Sequence, residues 1–114
     1  MRKAPVTSLE LEEYSERCDK ILTLLYSLSE RANHVSDMIT DDRKGIDEAI
    51  RRLRHMIKES TDIYNDLRLI GFGSLDLPDY AVWEYFERVE DLEEDCDYIR
   101  EDVLTEAKKV MRVV

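Results

Sequence analysis

Turn-forming residues are scarce in this chain of 114 residues, which has three glycines and two prolines. An all-β fold needs a turn roughly every eight to twelve residues, so that class is excluded. Two cysteines, Cys18 and Cys96, give neither a disulfide framework nor a Cys-x-x-Cys metal pair. No apolar run approaches the roughly 18 residues of a membrane span. The start, Met1-Arg2-Lys3-Ala4-Pro5-Val6, turns polar without the apolar stretch of a secretory signal. A soluble, cytoplasmic protein is the expectation.

Hydrophobic residues make up 43% and charged residues 39% of the chain. That apolar share is too large for a disordered acidic tail. Basic residues number 17 against 27 acidic ones, a formal net charge of -10. Such acidity argues against direct binding of nucleic acid or an anionic membrane, and favours a basic partner or serves simple solubility.

Apolar spacing predicts an all-α protein of three long helices over about 8–40, 46–70 and 78–112. Thr7 and Glu10 have the spacing of a capping box, with Val6 and Leu11 at the positions of a hydrophobic staple. Leu11, Tyr14, Cys18, Ile21, Leu25, Leu28, Ala32, Val35 and Ile39 then follow at 3,4 spacing, the stripe of a coiled coil. The second helix carries two lines, Ile46, Ile50, Leu53, Ile57, Ser60, Tyr64, Leu67 beside Ala49, Met56, Ile63, Ile70, as suits a helix touching two neighbours. Gly45 is expected to end the first helix as a left-handed C-cap, with Asp47 capping the next. One continuous helix remains open, because the spacing also carries across Gly45. Gly71 to Pro78 is the firm break. The third seam reads Val82, Tyr85, Val89, Leu92, Cys96, Ile99, Val103, Glu106, Val110 and Val113, and is expected to open to water at Glu106. Together the helices predict one domain over 1–114, an up-down-up antiparallel bundle with coiled-coil-like packing. Both cysteines fall on seams too far apart in height for a disulfide, so two reduced thiols are expected.

Charge is uneven along the chain. Residues 71–114 carry 5 bases and 13 acids, against a balanced 7 and 7 in residues 41–70. Interhelical pairs of Arg51, Arg54 and Lys58 with Asp97, Glu94 and Glu90 are expected to use part of that acidity. The outward positions of the third helix hold Glu84, Glu87, Glu90, Asp91, Glu94, Asp97 and Glu101. Trp83, at an outward position, and Tyr80 stand at the end of this row. They are candidate anchors for a partner, or a seal over the Gly71–Pro78 connection.

Catalytic chemistry has little support. His34 and His55 belong to no Glu-x-x-His pair of the di-iron type. Glu13/Glu16, Glu84/Glu87 and Glu94/Asp97 have the x-x spacing used by Mg²⁺-dependent all-α nucleotide hydrolases, but the last two pairs share one outward face. No cofactor and no metal are expected, which leaves that hydrolase a remote alternative. The leading expectation is a non-enzymatic module whose third helix docks on a basic surface, such as that of a nucleic-acid-binding protein. An inhibitor that imitates nucleic acid and blocks a nuclease is the sharper form. The alternative is an oligomerising coiled-coil adaptor, a homodimer included, in which charge serves only solubility.

Overall fold

The structure is a computed structural model that describes residues 5–111. Three helices make up the fold: α1 (Ser8–Met38), α2 (Lys44–Gly71) and α3 (Asp79–Met111). Among the described residues there is no strand. Residue 112 and seam position Val113 lie outside the described residues. Among the described residues no helix is long and apolar enough to cross a membrane.

Long-range contacts fix the directions of the helices. Tyr14 meets Glu90 and Arg17 meets Glu93, a constant offset, so α1 and α3 run parallel. Arg52 meets Asp102, Glu59 meets Arg88 and Asp66 meets Tyr85, one number rising as the other falls, so α2 and α3 are antiparallel. The result is an up-down-up bundle measuring 55 × 26 × 19 Å.

The capping box forms as the sequence predicts. The Thr7 side chain accepts from the Glu10 amide at 3.1 Å, and the Glu10 carboxylate accepts from the Thr7 amide at 3.2 Å. Seven of the nine α1 seam positions, Tyr14 to Val35, are buried, and Leu11 and Ile39 pack on the core from its margin. In α2 the buried set is Ile46, Ala49, Leu53, Met56, Ser60, Ile63 and Leu67, with Ile50, Ile57, Tyr64 and Ile70 half-buried beside it. That is the wide stripe of a helix with two neighbours.

The α1–α2 break is real but has a different cause from the expected one. Ile39 leaves the helix in an extended conformation, and Asp42 takes the left-handed turn at φ 49°. Asp tolerates that region because its short polar side chain finds local partners. Arg43 then reaches back, donating to the carbonyls of Ser36 at 2.7 Å and Ile39 at 2.6 Å and to the Ser36 hydroxyl at 2.6 Å. A cation thus satisfies carbonyls left open at the end of α1. Gly45 is not a C-cap and Asp47 is not an N-cap: α2 begins at Lys44, with Arg43 at the N-cap and no side-chain cap bond.

What a side chain at position 45 would meet is Glu106. A Cβ there would lie 2.6–2.7 Å from both carboxylate oxygens and Cδ of Glu106. The seam does not open to water at this level, because Glu106 is only 5% exposed. Its Oε2 takes a 2.8 Å bond from Lys109, while Oε1 has no partner among the described residues. The carboxylate lies against the first turn of α2, whose positive dipole end favours an anion.

At the other end of α2, Gly73 (φ 77°) makes the turn, and the amides of Ser74 and Leu75 both donate to Leu69 O. Pro78 precedes α3, and its carbonyl accepts from Ala81 and Val82.

Candidate functional site: the acidic face of the third helix

The seam of α3 decides which side chains point outward. Val82, Val89, Leu92, Cys96, Ile99 and Val103 are buried as expected, which turns Glu84, Glu87, Glu90, Asp91, Glu94, Asp97 and Glu101 to solvent. All seven carboxylates are exposed. Glu84 to Glu101 spans about 26 Å of stiff helix. Few of the seven are engaged inside the molecule. Glu90 accepts from the Tyr14 hydroxyl at 3.2 Å, Asp91 lies 3.7 Å from Arg88, and Asp97 lies 3.2 Å from Arg100. The last two pairs are local to α3 and largely exposed, so each adds at most about 1 kcal/mol.

The aromatic end of the row departs from expectation. Trp83 is 7% exposed, not outward, and its ring meets Phe86 edge-on at 5.2 Å. Phe86 in turn stacks on Tyr14 at 4.0 Å. Tyr85, expected in the seam, is only half-buried, and its hydroxyl donates to Asp66 at 2.6 Å. One cause accounts for all three. A helix wedged between two neighbours needs a stripe wider than a two-position seam: Phe86 faces α1, while Tyr85 faces α2. Tyr80 and Phe72 are both 71% exposed. Of the two candidate anchors, only Tyr80 is at the surface. The Arg68 guanidinium covers Phe72 at 5.3 Å.

The expected interhelical pairs are replaced by others. Arg51 pairs with Glu48 and Lys58 with Asp62, both within α2. Among the described residues, the ion pairs that join helices are Arg17–Glu93, Arg52–Asp102 and Arg88–Glu59. Arg17 also lies over the Tyr14 ring at 4.4 Å. Sequence reasoning missed Arg17–Glu93, although both residues flank their seams on parallel helices, the position where such pairs form. The Glu93 carboxylate raises the Arg17 guanidinium further above its ordinary value. The bond from Arg88 holds the Glu59 carboxyl below its ordinary value. The Asp66 bond, with burial, pushes the Tyr85 phenol up to about 12.

Both cysteines are buried free thiols, as expected. Burial, reinforced by neighbouring carboxylates, pushes each up to about 11, and Cys18 Sγ donates to Ser60 O at 3.2 Å. A thiol so held is a poor nucleophile. His34 and His55 are exposed. Among the described residues, no three or more His, Cys, Asp or Glu side chains converge to hold a metal ion. Comparison of the chain with protein-family models, with curated proteins and with solved structures gives no match.

Proposed function

We propose that the protein is a non-catalytic binding module whose third helix docks on a basic surface of another macromolecule. The observation that carries this reading is the row of seven exposed carboxylates on one stiff helix. Like charges at i,i+4 repel and lower helix stability slightly, so the row has a small energetic cost in the free protein. A cationic partner removes that cost.

The sharper form of the reading is mimicry of nucleic acid. Carboxylates at i,i+4 lie about 6 Å apart, close to the separation of successive phosphates along a strand. Tyr80 adds an exposed aromatic at the head of the row. A protein of this kind blocks a nuclease, or another nucleic-acid-binding protein, by occupying its basic cleft.

The test compares the wild type with a triple reversal, Glu87→Lys, Glu94→Lys and Glu101→Lys, as baits for basic proteins at low salt. All three side chains are exposed, so the variant keeps its helical circular dichroism and its melt. Partners held by the wild type are expected to leave at raised salt, to be displaced by nucleic acid and to be lost from the variant. A partner that the variant retains with unchanged affinity refutes the acidic-face reading.

A further inference from the structure

The carboxylate row is convex, but a concave feature lies beside it. α2 and α3 leave a trough between them with two compartments. The first, at the Gly71–Pro78 end, has a volume of about 630 Å³, with Ile63, Leu77 and Ala81 along its floor. The second, of about 520 Å³, reaches Met56, with Arg51 and Arg52 on its rim. Arg88 lines both compartments and is held by both carboxylate oxygens of Glu59. This ion pair and His55 are common to both compartments.

Charge differs between the compartments. Around the first stand four carboxylates, Glu59, Asp62, Asp66 and Glu84, against two permanent cations, Lys58 and Arg88, with the His55 imidazole beside them. Both cations are already committed, Lys58 to Asp62 and Arg88 to Glu59. Asp66 accepts from Tyr85. Glu84 belongs at once to this rim and to the exposed row of α3. An apolar floor under an acidic rim therefore opens directly onto the acidic face.

We propose that this first compartment seats one large apolar side chain of a basic partner segment. The flanking cationic side chains of that segment then lie on Asp66 and Glu84 and continue along the α3 row. The inference rests on the acidic-face reading and adds an anchor to it. The apolar residue supplies affinity in a pocket of ordinary ligand-binding size, and the charges supply orientation and encounter rate. Charge complementarity selects the occupant: a second copy of this chain, with its own net charge of -10, meets repulsion at the rim.

The probe is a pair of short lysine-rich amphipathic peptides, dye-labelled and identical but for one position, phenylalanine in one and alanine in the other. The phenylalanine peptide is expected to bind at least tenfold tighter by fluorescence anisotropy and to shift the methyl signals of Ile63, Leu77 and Ala81. Ala81→Phe lays a ring over the apolar floor and is expected to bring the phenylalanine peptide down to the alanine peptide's affinity, with the salt dependence unchanged. If Ala81→Phe does not fold, Leu77→Ser, which strips apolar surface from the floor without filling it, is expected to narrow the difference in the same way. Equal binding of the two peptides, or an Ala81→Phe protein that still discriminates them, overturns the anchor and leaves the acidic face standing. Undiminished peptide binding by the Glu87, Glu94, Glu101 triple reversal overturns the acidic-face reading itself. No binding of either peptide to the wild type overturns both.

Discussion

Gly45 and Glu106 form a pair whose coupling can be measured. Gly45→Ala places a methyl in the first turn of a helix, where propensity alone favours alanine by up to about 1 kcal/mol. The new Cβ would lie 2.6 Å from Glu106 Oε2, so the carboxylate must retreat by about 0.8 Å to reach ordinary contact at 3.4 Å. Retreat gives up the 2.8 Å bond from Lys109. It also moves the side chain off its rotamer, at about 0.5–1.5 kcal/mol, and away from the positive end of α2, at about 0.3–1 kcal/mol. Against this, the buried Oε1 regains water. The net effect of Gly45→Ala in the wild type is therefore between neutral and a loss of about 1 kcal/mol. In a Glu106→Ala background the obstruction is gone, and the same substitution stabilises by up to about 1 kcal/mol. The double-mutant cycle thus carries a coupling of about 1–2 kcal/mol, or several degrees in Tm for a domain of this size. Urea melts of the four proteins measure it. A change from Gly45→Ala that is equal in both backgrounds, within about 0.3 kcal/mol, refutes the argument that the carboxylate disfavours a side chain at this position.

Further outcomes follow from the buried groups. Trp83, at 7% exposure, is expected to fluoresce at short wavelength in the folded protein and to shift red on unfolding, while Trp83→Ala loses about 3–5 kcal/mol of stability. Tyr85 has its folded pKa raised above the unfolded value of about 10. Its contribution to stability is therefore present below pH 10 and is lost as pH rises through about 12. Absorbance titration should show two late-ionising phenols, Tyr85 and Tyr14, the latter raised by burial and by Glu90, and Tyr85→Phe should remove one of them. Glu59 is held low by Arg88, so its contribution is present above the ordinary carboxylate value and is lost as pH falls through its lowered folded value. Glu59→Gln should accordingly flatten the acid limb of a stability profile. Both thiols, raised to about 11, should react with iodoacetamide at pH 8 far more slowly than in urea. Ser60→Ala removes a hydroxyl with no partner among the described residues, and should be neutral or stabilise by about 1 kcal/mol.

The helices were legible because their signals are local. Thr7 and Glu10 sit three residues apart, and the α1 stripe needs nothing beyond its own spacing. The outward placement of the seven α3 carboxylates followed from the same periodicity. Features set by a second helix were not legible. Gly45 read as a terminator because glycine commonly ends helices, whereas what a side chain there would meet lies 61 residues away, at Glu106. The real terminator, Arg43 folding back on Ser36 and Ile39, is a basic residue with no standard signature. Trp83 and Tyr85 sit differently from their expected positions because a two-position seam does not describe a helix with two neighbours. The same wide-stripe argument used for α2 would have put Phe86 inside. The α2–α3 trough depends on how far two helices splay, and no spacing within either helix encodes that.

An odd number of antiparallel rods has a mechanical consequence. Because α1 and α3 point the same way, the backbone enters α1 at one end of the bundle and leaves α3 at the other, along a body 55 Å long. Two objects tethered before Ser8 and after Met111 are held apart as by a strut, and a pull between them loads all three rods lengthwise in shear rather than peeling them apart one at a time.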